Sequence, residues 1–439
     1  MAITGLVLMV NNYIRKKISR RFTGVEQMVL EARTPSAGEL IAKFQDIPEL
    51  GIYLHIPFCE QFCPYCPYNK ELYHPELARK YTLALKKEID FYVNIIGKRP
   101  VTSFYIGGGT PTTMLHTGMK DIVEHMYKSF NMRCSIHMES HPNHLDQKNL
   151  DSIRSLGVKY LSIGVESLQD RHLNTLKRPY TTEEVVKTVK RVSGQGFDCV
   201  NVDFIFDLPG QTYAEIEEAG QNLVNLGINQ VAAYPLFRFP YTQLGKEARS
   251  NGRAVQTMFR RRRMLRILEK IFYRSGFERT SVWAFTRQGV SKYCSVTVPL
   301  YIGLGASGGS YLKDVFYLNT FNVAEYIRAM EKSGRATALS IDLTEKMQMG
   351  GWLYWRIYET RFKKSDFKER FHKDIDRIYG RYLKTFAFLG YLKDKGKEVV
   401  LTDKGTYWLH AFEDFFSIDY ISKLWGTSSR NPWPERVAL

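Results

Sequence analysis

Three cysteines stand at C-x3-C-x2-C spacing in Tyr53-Leu-His-Ile-Pro-Phe-Cys59-Glu-Gln-Phe-Cys63-Pro-Tyr-Cys66, just after a β-rich run, Gly51 to Ile56. Three thiolates close together on one loop can hold three irons of a cubane [4Fe–4S] cluster. Electron-transfer cubanes have four cysteine ligands, so a missing fourth leaves one iron open to a substrate or cosubstrate, as catalytic zinc keeps an open position. Other readings compete. A disulfide does not suit three clustered thiols in a chain that reads as cytosolic. A structural zinc would want a fourth Cys or His; His55 is near, but alternation along a strand points its ring away from the loop. Chance clustering of buried cysteines is the bland alternative.

The elements that must position these cysteines follow from hydrophobic periodicity. Strands are expected at Gly51–Ile56, Ser103–Ile106, Ser135–Glu139, Tyr160–Val165, Val200–Phe206 and Gln230–Leu236. Helical stretches run between them, at about 75–95, 114–130, 147–156, 182–195 and 213–226, with apolar residues three and four apart. Strict alternation of six strands and five helices argues a parallel sheet with right-handed crossovers, short of a closed eight-stranded barrel. In barrel folds the chemistry gathers at the C-terminal ends of the strands. That rule places Cys59, Gly107–Thr110, Glu139, Glu166, Asp203 and Phe237 around one mouth. Gly107-Gly-Gly-Thr-Pro-Thr112 lets bare backbone approach a ligand; it lacks the lysine of a phosphate loop, and a tight turn is the plain alternative. Glu139 and Glu166 could bind an ammonium or ribose hydroxyls, against the alternative of surface salt bridges. Asp203 lies in an otherwise apolar strand, where an acid is costly unless paired.

The 439 residues allow one large domain and one or two smaller ones. Cys134, Cys199 and Cys294 are isolated and read as small buried hydrophobes. The net charge of +17 predicts affinity for anions. Much of it sits in Arg15–Arg21 and Arg260–Arg263, read as solvated faces, and no nucleic-acid motif accompanies them. Ile3–Val10 is too short to span a bilayer and is followed by no cleavage site. It reads as a packing helix, with an amphipathic membrane-surface anchor as the second reading. A cytoplasmic monomer is expected.

The three-cysteine spacing resembles the radical S-adenosylmethionine (SAM) superfamily. His55-Ile-Pro-Phe-Cys59, Gly107-Gly-Gly-Thr-Pro-Thr112, Gly164-Val-Glu-Ser, Asn201-Val-Asp-Phe-Ile and Leu208-Pro-Gly-Gln-Thr212 occur in order. Together they resemble its oxygen-independent coproporphyrinogen III oxidase-like branch, which also holds haem chaperones and class C radical SAM methyltransferases. The resemblance covers about 51–403. It implies a (β/α)6 partial TIM barrel, a [4Fe–4S] cluster on Cys59, Cys63 and Cys66, and SAM cleaved to a 5′-deoxyadenosyl radical. It further implies SAM contacts from Tyr53, Tyr65, Gly108, Gly109, Thr110, Glu139, Glu166, Arg178, Asp203 and Phe237. Arg178 would clamp the methionine carboxylate and Tyr65 would pack on adenine. In Tyr301-Ile-Gly-Leu-Gly-Ala-Ser-Gly-Gly-Ser310, Gly309 would lie near a second SAM.

Departures from the branch are equally specific. Tyr68 stands where the true oxidases carry a further cysteine, and Glu166 where they carry glutamine. Asp207 replaces a glycine before Leu-Pro, and Glu278–Phe285 replaces a segment typical of the haem chaperones. The activity implied is that of an oxidoreductase on an anionic, tetrapyrrole-like substrate, reduced by a donor such as flavodoxin or ferredoxin. A methyltransferase using two SAM molecules and a haem chaperone are the alternatives. Residues 1–49 read as a lead-in of two short helices broken at Thr34–Gly38, and 50–240 as the barrel. A helical, basic and Gly-rich segment at 241–338 would complete the site; its arginines, facing the pocket, would suit an anionic substrate. The remainder, 339–439, reads as a mostly helical, winged-helix-like cap with a two-stranded wing and an extended tail from Trp425.

Overall fold

The computed structural model describes residues 2–45, 47–250, 258–294 and 300–439, with backbone alone for 2–12 and 248–250. The side chains of the Ile3–Val10 stretch therefore lie outside the described residues. Six parallel strands pair in chain order: β1 (Leu50–Ile56), β2 (Pro100–Gly108), β3 (Ile136–Ser140), β4 (Val158–Glu166), β5 (Cys199–Phe206) and β6 (Gln230–Pro235). β1 and β6 do not pair, so the α/β barrel is partial. Each strand obeys the period-two rule in an inverted sense. Ile52, Leu54, Ile106, Met138, Leu161, Ile163, Val202, Phe204 and Val231 face the helices in one large apolar core. The alternate positions face the lumen in registered layers. One layer is Tyr53, Tyr105, His137 and Tyr160; the next holds Glu139, Ser162, Asn201 and Gln230. The lumen is thus polar and aromatic, and the helices alone cover the apolar face.

Helices follow the strands as expected: Pro75–Ile96, Met119–Ser129, Gln147–Ser155, Thr182–Ser193 and Tyr213–Val224. Thr181 with Glu184, and Thr212 with Glu215, form reciprocal capping boxes that start the last two. Pro111 diverts the chain after β2 into a short 3-10 turn, Pro111–Met114, so the second helix begins later than its periodicity suggests.

The flanks differ more from expectation. The lead-in is a 22-residue helix, Ala2–Thr23, then a strand, Val29–Glu31, then Ala37–Phe44. Arg15 pairs with Asp419 at 3.0 Å, and Phe22 joins the core of the C-terminal region. The glycine-rich segment is itself a strand, β7 (Tyr301–Leu304), parallel to β1, so the parallel run has seven members. Antiparallel β8 (Gly309–Leu312), β9 (Val315–Asn319) and β10 (Thr337–Asp342) extend that edge, followed by Val29–Glu31 and Arg436–Ala438. The other edge ends in the hairpin Phe277–Arg279 and Ala284–Arg287 on β6.

Beyond β10, Phe362, Phe367, Phe371, Tyr379 and Val399 form a separate core under a three-stranded wing; Arg361–Lys363 is its third strand. The last helix, Asp403–Ser428, overruns the expected extended tail, whose end instead pairs with Val29–Glu31. Among the described residues no helix is long and apolar enough to cross a membrane. The second basic run is a solvated face only in part: Arg263 is exposed, Arg260 and Arg261 are half-buried and Arg262 is buried. Arg260 and Arg261 pair with buried Asp207, Arg262 with buried Glu269, and Arg263 stacks 4.3 Å over Tyr213.

Candidate functional site

Cys59, Cys63 and Cys66 are free thiols. Cys59 is buried, and Cys63 and Cys66 are half-buried on the loop after β1. Arg178 donates to Cys63 Sγ at 3.2 Å, and the Thr110 hydroxyl to Cys59 Sγ at 3.6 Å. Lys70 Nζ binds the Cys66 carbonyl at 2.7 Å. Burial pushes the Cys59 thiol up to about 12 and raises Cys66 as well.

His55 does not point away from the loop, as alternation alone suggested. Its Nε2 lies 3.1 Å from the Asn69 carbonyl, and its Nδ1 lies 2.9 Å from the Tyr53 hydroxyl. A carbonyl only accepts, so Nε2 carries the proton and Nδ1 accepts from Tyr53. Burial holds the imidazole down to about 4, hence neutral. Both nitrogens are committed, which removes His55 as a fourth ligand. Among the described residues no three His, Cys, Asp or Glu side chains converge on a point that could hold one metal ion. A cubane asks for no such convergence, because each thiolate binds a different corner iron. Three free thiols on one loop, two of them receiving directed N–H and O–H donors, fit that group.

The glycine loop packs backbone to backbone on the cysteine loop. Gly109 N–H donates to the Ile56 carbonyl at 2.7 Å and Thr110 N–H to that of Phe58 at 2.8 Å. A Cβ at Gly109 would lie 2.7 Å from the Pro57 oxygen, and Gly108 adopts φ +123° against the His55 ring. These two positions need glycine.

Glu139 Oε1 accepts from Tyr105 at 2.5 Å and Oε2 from Gly108 N–H at 2.9 Å. Burial outweighs those donors and raises its carboxyl to about 7. Glu166 ends β4 at φ +66°, a left-handed conformation costly for a non-glycine and typical of functional sites. Burial raises it to about 7, opposed by Arg178 and the Tyr65 hydroxyl. Asp203 accepts from Ser162 at 3.0 Å and Asn201 at 2.9 Å; burial raises it too. Among the described residues none of these three acids forms an ion pair within 4 Å, although Arg178 acts on Glu166 and Asp203 from farther off. A ring of half-buried acids with the Arg178 guanidinium nearby suits a cationic ligand.

Arg178 is fixed by three bonds: to Cys63 Sγ, to the Gly164 carbonyl at 2.6 Å, and to the Tyr180 hydroxyl at 2.7 Å. Tyr65 packs on Leu176, Ile205, Leu208 and Leu236, an apolar shelf beside the loop. Phe237 packs edge-on to Trp283 at 6.3 Å. Tyr53 stacks on Tyr105 at 6.0 Å. Gly309 lies against Gly303, where a Cβ on Gly303 would meet the Gly309 backbone, and Gly303 registers with Tyr53. Tyr68 is 59% exposed, yet Cys66, Glu139, Glu166 and Asp203 act on its phenol. It therefore stands in the open mouth rather than on the outer surface.

Thr110 thus meets Cys59 and Gly108 meets Glu139, with Glu166 and Asp203 close enough to act on one another; Asp203 does so from inside β5 rather than from its end, and the ring contacts of Phe237 are with Phe239 and Trp283. Sequence reasoning passed over Tyr105 and Ser162, which donate to Glu139 and Asp203, Tyr234, whose hydroxyl acts on Asp203, and Tyr293, which donates to Tyr105. Tyr105 was legible, two residues before Gly107 on the same strand face. Tyr293 carries no local signal. Asp207 sits at φ +63°, a conformation that favours glycine, and Arg261 holds its carboxylate at 3.2 Å.

The model of the radical SAM superfamily matches residues 53–223. The heme chaperone HemW of Bacillus subtilis is 24% identical over 360 residues, 80% of this chain and 95% of that protein. The oxygen-independent coproporphyrinogen III oxidase of Paracoccus denitrificans is 26% identical over 268 residues, 58% of each chain. Among solved structures, coproporphyrinogen III oxidase (HemN) from Escherichia coli, a radical SAM enzyme, superposes with a TM-score of 0.75 at 20% identity, covering 88% of this chain and 94% of that one.

Proposed function

From the premise that this is a radical SAM protein of the oxygen-independent coproporphyrinogen III oxidase-like branch, we propose that it is an oxidoreductase acting on an anionic, tetrapyrrole-like substrate. Cys59, Cys63 and Cys66 would hold a [4Fe–4S] cluster, and the acids and glycines of the mouth would hold SAM. When bound, that pair supplies one-electron cleavage of SAM to methionine and a 5′-deoxyadenosyl radical, the electron coming from an external donor of the flavodoxin or ferredoxin type. The observation that carries the reading is the bonding of Arg178 at once to Cys63 Sγ and to the strand carrying Glu166. One guanidinium thereby ties the thiol loop to the acid ring. Gly108 and Gly109 bring bare backbone beside the loop, Glu139 supports an ammonium, and Arg178 orients a carboxylate. Tyr65 and its apolar shelf exclude water from one side.

A second reading has a specific support: chains named heme chaperone match along 80% of this one. The test is anaerobic reconstitution with iron and sulfide, followed by SAM, a reductant and candidate tetrapyrroles, with mass spectrometry of the products. Formation of 5′-deoxyadenosine with loss of CO2 or hydrogen from the tetrapyrrole supports the oxidoreductase. Label from deuterated SAM methyl groups in the product would mark a methyltransferase using a second SAM near Gly309. Tight haem binding without SAM cleavage would establish the chaperone and overturn the proposal.

A further inference from the structure

A cleft of about 610 Å³ opens where three distant segments meet: the loop at Thr34, the helix Val323–Ser333 with the residues that follow it, and Trp433 near the C-terminus. That volume is of the order of small-ligand sites. Its lining takes no residue from the barrel mouth. The helix forms one wall. Val323, Tyr326, Ile327 and Met330 are buried on its core side, while Glu325, Arg328, Ala329 and Lys332, three and four residues apart, line the cleft.

The charges of the cleft do not cancel. Glu325 is taken by Arg328 at 2.5 Å, and its Oε2 accepts from the Trp433 indole N–H at 3.2 Å. Lys332 and Arg335 have no acid within 4 Å among the described residues. A cation in the last turn complements the helix dipole, which accounts for Lys332. It does not account for Arg335, which lies past the left-handed cap Gly334 and is half-buried. Burial holds the Arg335 pKa below its usual value, and Glu39, the acid that acts on it, is already paired with Arg33 at 3.0 Å. A desolvated charge without a partner is costly. The guanidinium lies 5.0 Å over the Phe91 ring. Such stacking leaves its edge N–H groups free, and among the described residues they form no hydrogen bond.

Another part of the lining is flat and aromatic. Trp433 is 40% exposed, and two bonds fix it: its indole N–H on Glu325, and its backbone N–H on Asn431 Oδ1 at 3.0 Å. Among the described residues no His, Cys, Met or Tyr lines the cleft, so it offers no axial ligand to a haem iron.

We propose that this cleft is a second binding site, for a small ligand in which a phosphate or carboxylate is joined to a flat ring. The anionic group meets the edge of Arg335 in bidentate fashion, with Lys332 beside it. The ring packs on Trp433. The site does not rest on the function proposed above.

The test is calorimetry on the full-length reconstituted protein, with and without excess SAM. AMP and nicotinate are the probes, and adenosine and inorganic phosphate supply the ring alone and the anion alone. AMP or nicotinate binds at least about tenfold more tightly than either control, and the tighter of the two identifies the anionic group. Arg335→Met keeps an apolar stem against Phe91 and weakens that binding about tenfold or more. Trp433→Leu weakens the ringed probe about tenfold and leaves inorganic phosphate as it was. Excess SAM changes none of these affinities. Should Arg335→Met not fold, Lys332→Glu on the exposed helix face is read identically. No binding of either probe up to about 1 mM, binding indifferent to Arg335 and Lys332, or displacement of the probe by SAM overturns the site. SAM binding is unaltered in Arg335→Met, so failure of this site and failure of the proposed function are read separately.

Discussion

Gly109→Ala is the sharpest test of how the glycine loop and the cysteine loop are joined. The added Cβ would stand 2.7 Å from the Pro57 oxygen and 2.8 Å from the Phe58 oxygen, where ordinary contact begins at 3.4 Å. Both obstacles are backbone, so no side chain can swing aside. The loop must retreat by more than half an ångström, although Gly109 N–H and Thr110 N–H hold it at 2.7 and 2.8 Å. Overpacking of that kind costs about 1–3 kcal/mol, and losing one of the two hydrogen bonds costs about 1 kcal/mol more. The strain falls on Pro57 and Phe58, next to Cys59, so it is expressed where the cluster is proposed to bind. The expected result is a lower melting temperature and at least half of the iron lost after anaerobic reconstitution and desalting. Gly38→Ala is the control: nothing lies within 4 Å of its added Cβ, and it sits inside Ala37–Phe44. It should be neutral, or stabilising by up to about 1 kcal/mol. A Gly109→Ala protein with a full iron complement and unchanged melting would refute the close-approach argument.

Arg178→Lys cannot reproduce three bonds fanned to Cys63 Sγ, Gly164 and Tyr180. Losing about 2 kcal/mol of directed bonding should raise the KM for SAM in 5′-deoxyadenosine formation about 30-fold while iron content is kept; an unchanged KM would remove Arg178 from the ligand site. Glu139, raised from 4.5 to about 7 by burial, must be anionic to hold an ammonium, so SAM affinity should rise about tenfold from pH 6 to pH 8. Its contribution to the stability of the ligand-free fold runs the other way. It is fully present below the unfolded value near 4.5 and is lost as pH rises through about 7. The melting-temperature gain on adding SAM should therefore grow with pH, and a gain independent of pH would exclude Glu139 as the ammonium ligand. Asp207→Ala leaves Arg260 and Arg261 without their buried partner and puts alanine at φ +63°. It should destabilise by about 2–4 kcal/mol, read as earlier proteolysis of Met258–Arg274, and unchanged proteolysis would show the pairing to be idle.

The chemistry was legible in the chain because contiguous residues encode it. Cysteine spacing fixes which thiols share a loop. Period-two alternation fixes the strands, the rule that ligands gather at strand ends placed Glu139 and Glu166 before any coordinate, and an acid inside an apolar strand singled out Asp203, which lies within β5. Helix starts at Thr181 and Thr212 were likewise written locally, in their capping residues. Contacts between distant segments were not legible, because sequence separation sets no limit on which of many loop closures is made. Arg178 reaching Cys63, Asp207 gathering Arg260 and Arg261, and the glycine-rich Tyr301–Leu304 joining β1 as a seventh parallel strand are of this kind. So is Tyr293, set in the lumen by Gln230 from 63 residues away. Alternation said that His55 faced away from the loop; the return of the loop at Asn69 brought a carbonyl to its ring. The sequence by itself determined the thiols, the glycines and the acids. The tertiary structure alone decided which hydroxyls and guanidinium groups hold them in place, since burial and partnership are properties of the closed chain.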